Sequence, residues 1–111
     1  MAYSTITPVK LGQAAITTGA TTLYTTPAST RAMVKEIDVV NTTAASATFD
    51  VYLVPVAGTA GTGNAMFYQQ PLNANETLQW NGLQVMNAGE TIQIRASVTG
   101  LTITASGAEA V

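Results

Sequence analysis

The chain of 111 residues contains no cysteine and no histidine. Without thiols it has no disulfide, no thiolate ligand and no thiol nucleophile, and its redox compartment stays open. Without imidazole, Ser-His-Asp and Cys-His arrangements are excluded, along with the commonest general base and zinc sites built from His or Cys. Charge is scarce as well. Four basic and six acidic residues make 9% of the chain, against roughly a quarter in an ordinary soluble domain. The four cations, Lys10, Arg31, Lys35 and Arg95, are scattered, so no patch exists to neutralise a phosphate backbone and no nucleic-acid partner is expected. Mean hydropathy is +0.25, yet no apolar run approaches the roughly 20 residues of a membrane span. The stretch Met1 to Ile6 lacks the basic and apolar regions of a signal peptide. Synthesis in a cytoplasm is therefore expected, with no membrane partner.

What fills the chain instead is threonine, at nineteen residues, with abundant alanine. A soluble monomer ordinarily keeps itself apart with mixed surface charge. A neutral surface of Thr, Ala, Gln and Asn suits a protein covered by neighbours, so assembly is expected, with a monomer of neutral Thr-rich surface as the alternative.

Periodicity is that of strands. The stretch Thr30 to Pro55 organises the reading. Phe49, Val51 and Leu53 fall on one parity, and Thr48, Asp50 and Tyr52 on the other. Met33, Ile37 and Val39 alternate with Glu36 and Asp38, but Lys35 sits on the apolar parity. A bulge near Lys35, or its stem lying along the core, reconciles this. With the small polar link Asn41 to Ser46 between them, these arms read as a long central β-hairpin. Residues 1–8, ending at Pro8, read as an N-terminal arm, and residues 9–111 as a single domain.

Further along, Thr21 to Thr26 is a short strand stopped by Pro27. Pro55 to Asn64 is a glycine-rich surface loop without the spacing or lysine of a phosphate cradle. Ala65 to Gln70 is a strand ended by Pro71. Asn81-Gly82 is the strongest hairpin-turn dipeptide, separating Glu76–Trp80 from Leu83–Met86. Thr91 to Val98 and Leu101 to Ser106 alternate cleanly, and Gly107 to Val111 is a tail or last short strand. No segment shows a helical period with caps. Eight or nine short strands with turns at roughly 8–12-residue spacing predict an all-β, antiparallel two-sheet sandwich, jelly-roll-like. Its expected core comprises Leu23, Met33, Ile37, Val39, Phe49, Val51, Leu53, Leu78, Trp80, Val85, Ile92, Ile94, Val98, Leu101 and Ile103.

Chemistry is sparse. Glu36 and Asp38 share the outer face of one strand and Asp50 lies on the polar parity of the next. They form a carboxylate group of the kind that serves glycoside hydrolysis or binds calcium. An ion-paired or solvated face is the plainer reading, so no catalytic residue, metal ligand or cofactor is implied. Tyr52, facing away from the core parity, suits an interface anchor or a sugar-stacking ring. Trp80 is a second ring for carbohydrate, or core with Leu78. The run Met66-Phe67-Tyr68 must turn at least one large side chain outward. The partner-facing residues expected from the sequence are Tyr3 and Ile6 in the arm, Tyr52, and Met66, Phe67 and Tyr68.

The stretch Thr22-Leu23-Tyr24-Thr25-Thr26-Pro27-Ala28-Ser29-Thr30, followed by Asn41-Thr42-Thr43 and Tyr52-Leu53-Val54-Pro55, resembles small virion proteins of tailed bacteriophages. Asn75 to Trp80 and Ala88 to Gln93 resemble the same proteins, so the likeness covers about residues 20 to 106. It implies a β-sandwich built into a phage particle assembled in the host cytoplasm, as a capsid decoration or cement protein sitting as a homo-oligomer, such as a trimer, on the major capsid protein, or as a tail, neck or fibre component contacting other virion proteins. A binding module for host-surface carbohydrate is the alternative of another class.

Overall fold

Threonine, valine and isoleucine at alternating positions suit a pleated, half-buried surface, and they draw the described residues into eight strands. The computed structural model describes residues 5–111; Tyr3 lies outside them. The strands are β1 (Ile6–Ala15), β2 (Thr21–Thr25), β3 (Arg31–Asn41), β4 (Ala47–Val54), β5 (Ala65–Leu72), β6 (Thr77–Met86), β7 (Thr91–Ala96) and β8 (Leu101–Ala110). One turn of 3₁₀ helix, Thr62–Asn64, interrupts the glycine-rich loop. Among the described residues no helix is long and apolar enough to cross a membrane.

Two antiparallel four-stranded sheets face each other, ordered β1-β8-β3-β6 and β2-β7-β4-β5. Of the seven connections between consecutive strands, only that from β4 to β5 stays within a sheet; the others cross between the sheets. That is the jelly-roll winding. It overturns the central hairpin expected over residues 30–55. β3 pairs with β6 and β8, whereas β4 pairs with β5 and β7. The link that resembled a hairpin loop is a bridge over the edge of the sandwich.

Asn41 explains how so short a bridge holds. Its fully buried side chain donates through Nδ2 to the carbonyls of Ala45 (2.8 Å) and Leu72 (3.1 Å). Its Oδ1 accepts from the Thr43 amide at 2.9 Å and the Thr43 hydroxyl at 2.7 Å. Both donors and both acceptor sites of the amide are thereby used. At one end of the sandwich, the Tyr24 hydroxyl on β2 donates to Glu109 on β8 at 2.6 Å and ties one sheet to the other. Burial first, then the hydrogen bond and negative charge of Glu109, hold the Tyr24 phenol well above its ordinary range.

The irregularity expected at Lys35 is present. The register of β3 shifts between Val34 and Glu36 against both β6 and β8. The extra residue reverses the parity of the strand, so Ala32 and Val34 are buried on one side of it and Ile37 and Val39 on the other. Met33, expected inside, therefore points outward. Asn81-Gly82 makes no turn. It lies within the continuous strand β6, opposite the same bulge, and a Cβ at Gly82 would fall 2.7 Å from Cζ2 of Trp80. Close approach of the indole, rather than a turn, is what this glycine allows. The β6 parity reverses as well, and Val85 joins Leu83 on the outer face.

Elsewhere the alternation reads correctly. Ile92, Ile94, Leu101, Ile103, Phe49 and Val51 are buried, while Leu23, Leu53, Leu78 and Trp80 pack against them half-buried. Val98 is exposed because β7 stops at Ala96, before the alternation does. β1 begins at Ile6, three residues inside the expected arm, and β8 runs unbroken from Leu101 to Ala110, through the stretch read as a tail or last short strand, because the two strands pair from Ile6–Ala110 to Ala15–Thr102. β5 continues through Pro71 to Leu72. A proline is tolerated there because β5 is an edge strand.

Candidate assembly surfaces

The outer face of the β2-β7-β4-β5 sheet carries the residues of which most was expected. Tyr52 is only 4% exposed, so it does not present the ring expected at an interface. Its hydroxyl donates to Oδ2 of Asp50 at 2.8 Å. Oδ1 of Asp50 accepts the Gln69 amide at 2.6 Å. Gln69 has a left-handed φ of 48° within the irregular part of β5, where pairing to β4 slips at Phe49/Val51 and again at Val51/Tyr52. Asp50 thus caps an amide that the slipped ladder leaves without a strand partner. Burial first, then the hydrogen bond and charge of Asp50, push the Tyr52 phenol up; the guanidinium of Arg95 opposes them. Arg95 lies across from Asp50 in the ladder, and with Thr48, Tyr68 and Gln69 these residues line a polar recess of about 190 Å³. The hydrogen bonds that Asp50 accepts from Tyr52 and Gln69 run along its wall.

The run Met66-Phe67-Tyr68 divides as its crowding requires. Phe67 turns inward, its ring 5.5 Å from that of Phe49, and Met66 packs half-buried on the core. Tyr68 turns out and is 51% exposed. Met66 also borders an open cleft of about 440 Å³ on the β5–β6 side of the sandwich, with Leu53, Pro55, Asn64, Gln84 and Glu90 among its walls. Ile6, exposed, begins β1 at the opposite edge. Of the expected contact residues, Ile6 and Tyr68 therefore present exposed side chains, while Met66 and Phe67 serve largely as core.

The carboxylates do not converge. Asp50 stands in the other sheet from Glu36 and Asp38, for the reason that removed the hairpin. Among the described residues no group of three or more metal-ligating side chains forms. Glu36 accepts from Nε2 of Gln79 at 3.2 Å. Asp38 has a buried Oδ1 without a donor, and burial, then a hydrogen bond to Glu36 and its charge, raise the Asp38 pKa above the ordinary 3.8. Two carboxyl groups can satisfy each other only when one carries a proton. A raised folded-state value means the neutral acid stabilises the fold fully below pH 3.8. That contribution is lost as pH rises through the folded pKa. Asp38→Asn, which keeps a neutral group there at every pH and adds a donor facing Glu36, is expected to raise the melting temperature at pH 7. The gain should shrink toward zero near pH 3.8. Thermal melts between pH 3 and 8 test it, and a loss at pH 7 would contradict it.

The outer face of the β1-β8-β3-β6 sheet holds what the sequence reading missed. Leu83 and Val85 are 53% and 50% exposed. Val85 lies beside Met33, Met33 beside Ala108, and Ala108 beside Pro8. An apolar row therefore crosses the sheet to the β6 edge. Trp80 lies on the inner side of the same strand, packed on the core and over Gly82, which leaves little open ring for a sugar.

No protein-family model matches the sequence, and no curated protein matches it. Solved structures do. The fold is shared with proteins of virus particles. A chain of the T13 particle of infectious bursal disease virus, an icosahedral virus, superposes with a TM-score of 0.52 at 11% identity, over 96% of this chain and 30% of that one. A chain of the VP2 subviral particle of the same virus gives 0.52 at 15% identity, over 96% and 32%. This chain thus spans about a third of the length of those it resembles.

Proposed function

We propose that this protein is a structural component of a virus particle, and within that class a capsid decoration or cement protein of a tailed phage that bridges major capsid subunits. The observation that carries the reading is a surface suited to being covered. Ile6, Val56, Tyr68, Leu83, Val85, Val98 and Val111 are all exposed on a chain with four basic and six acidic residues. Depletion of charge with retention of exposed apolar and aromatic groups is the composition of interface cores. The jelly-roll winding, shared with particle chains of infectious bursal disease virus, supports a role in a shell. The phage assignment rests on the resemblance of residues 20–106. The mechanism is mechanical. Area buried across subunit boundaries adds binding free energy to the assembled shell and, by mass action, opposes its opening. No catalytic step is involved.

Co-sedimentation with expanded, undecorated heads of the phage that encodes the chain, followed by imaging, tests this. Saturable binding at regular lattice points, with raised resistance of the heads to heat, is expected. Absence from heads with copurification in tail or fibre fractions would overturn the decoration role.

A further inference from the structure

The two sheets have four edges, β1, β6, β2 and β5, and an edge left open is a template for another strand. Three of them are blunted. β1 carries Pro8, which has no amide to donate, the charge of Lys10, and a register break between Lys10 and Gly12. β2 has five residues and a break between Thr22 and Tyr24. β5 carries Pro71, two register breaks and the left-handed Gln69. β6 is different. Its ten residues, Thr77-Leu-Gln-Trp-Asn-Gly-Leu-Gln-Val-Met86, contain no proline and no charge, its one slip leaves Thr77 to Asn81 and Gln84 to Met86 paired in register on either side, and among the described residues no strand lies along its outer side. Leu83 and Val85 stand exposed beside that edge, at the end of the apolar row through Met33.

We propose that β6 docks a second copy of this chain, the two β6 strands running antiparallel about a two-fold axis so that two β1-β8-β3-β6 sheets join into one. Two features select a copy over another occupant. The first is closure. Head-to-tail growth needs two open edges, and the described residues offer one; a single edge can be satisfied by its own twin, which yields a closed dimer instead of a fibre. The second is charge. A neutral strand offers nothing to the lysines or carboxylates of a charged peptide, whereas two copies of β6 meet without like-charge opposition. A strand laid against β6 also covers Leu83 and Val85 from the side, which adds apolar burial to the main-chain hydrogen bonds.

The test is sedimentation of the full chain from micromolar to millimolar concentration, beside the double variant Leu83→Lys/Val85→Lys and the control Tyr68→Lys on the β5 edge. Both lysine positions in the double variant are half-exposed, so the fold tolerates them. The wild type and the control are expected to form a concentration-dependent dimer. The double variant should weaken it at least tenfold. Hydrogen exchange on the wild type alone is the independent readout: β6 amides that do not bond to β3 should gain protection as concentration rises. A monomer throughout, a trimer, or a dimer lost on Tyr68→Lys but kept in the double variant would overturn the inference. So would unchanged exchange along β6. Head binding is a separate measurement, so failure of the virus-particle reading leaves this result standing, and the reverse holds too.

Discussion

Gly107→Ala is expected to destabilise the sandwich by at least about 3 kcal/mol, a large part of the roughly 5–15 kcal/mol available to a domain of this size. Gly107 lies in β8 between Val9 of β1 and Val34 of β3, beside the bulge at Lys35. A Cβ there would fall 1.8 Å from the Met33 carbonyl oxygen, 2.9 Å from its carbon and 3.2 Å from Cα of Val34. All three are main-chain atoms of the central strand. A clash with a flexible side chain relaxes by rotation. Here either β3 or β8 must move, and each is paired on both sides. Urea denaturation followed by Trp80 fluorescence measures the change. A loss below about 1 kcal/mol, within the ordinary range for point substitutions, would mean that the ladder between β3 and β8 yields more readily than its pairing suggests.

The second large effect is expected at Asn41. Asn41→Ala removes four hydrogen bonds at a fully buried position and leaves the Leu72 carbonyl and the Thr43 amide without their side-chain partner. Each buried polar group left unpaired costs about 1–3 kcal/mol, so a loss of about 3–5 kcal/mol is expected. Asn41→Asp separates the two halves of the amide. A carboxylate still accepts from Thr43, but it faces the carbonyls of Ala45 and Leu72 with acceptors only. It should therefore destabilise about as much as alanine at neutral pH and recover in part on acidification. Equal stability of the wild type and Asn41→Ala would remove the bridge from the account of the fold.

Lys35 and Asn41 show what the sequence discloses and what it conceals. Local alternation was legible. The inward faces of β7 and β8 and the slip at Lys35 follow from neighbouring residues, and the structure has them. Partnership was not. Asn41 to Ser46 has the composition of a hairpin loop, and nothing within it reveals that its flanking strands belong to different sheets, because the choice is made by β8 and β7 far along the chain. Asn81-Gly82 failed for a related reason. The dipeptide permits a tight turn, but it permits a bulge under Trp80 equally well. The misplacement of Met33 and Val85 follows from those slips, since one inserted residue exchanges the faces of a strand. At the surface, parity showed that Tyr52 leaves the core but not that Asp50 and the turned ladder of β5 cover it. The open edge of β6 was hidden by the turn read into its middle. Once that turn is withdrawn, two short strands become one long neutral one.

The first and last strands hold a consequence for engineering. β1 and β8 are antiparallel neighbours, and the described chain closes on itself where Thr5 and Val111 exchange amide-to-carbonyl hydrogen bonds of 3.0 and 2.9 Å. Thr5 and Val111 thus stand about one interstrand spacing apart, roughly 4.8 Å. A few residues joining position 5 to position 111 would therefore close the described sandwich into a ring. A ring of this kind could be reopened at the Pro55 to Asn64 loop, which would make new termini while leaving every strand whole.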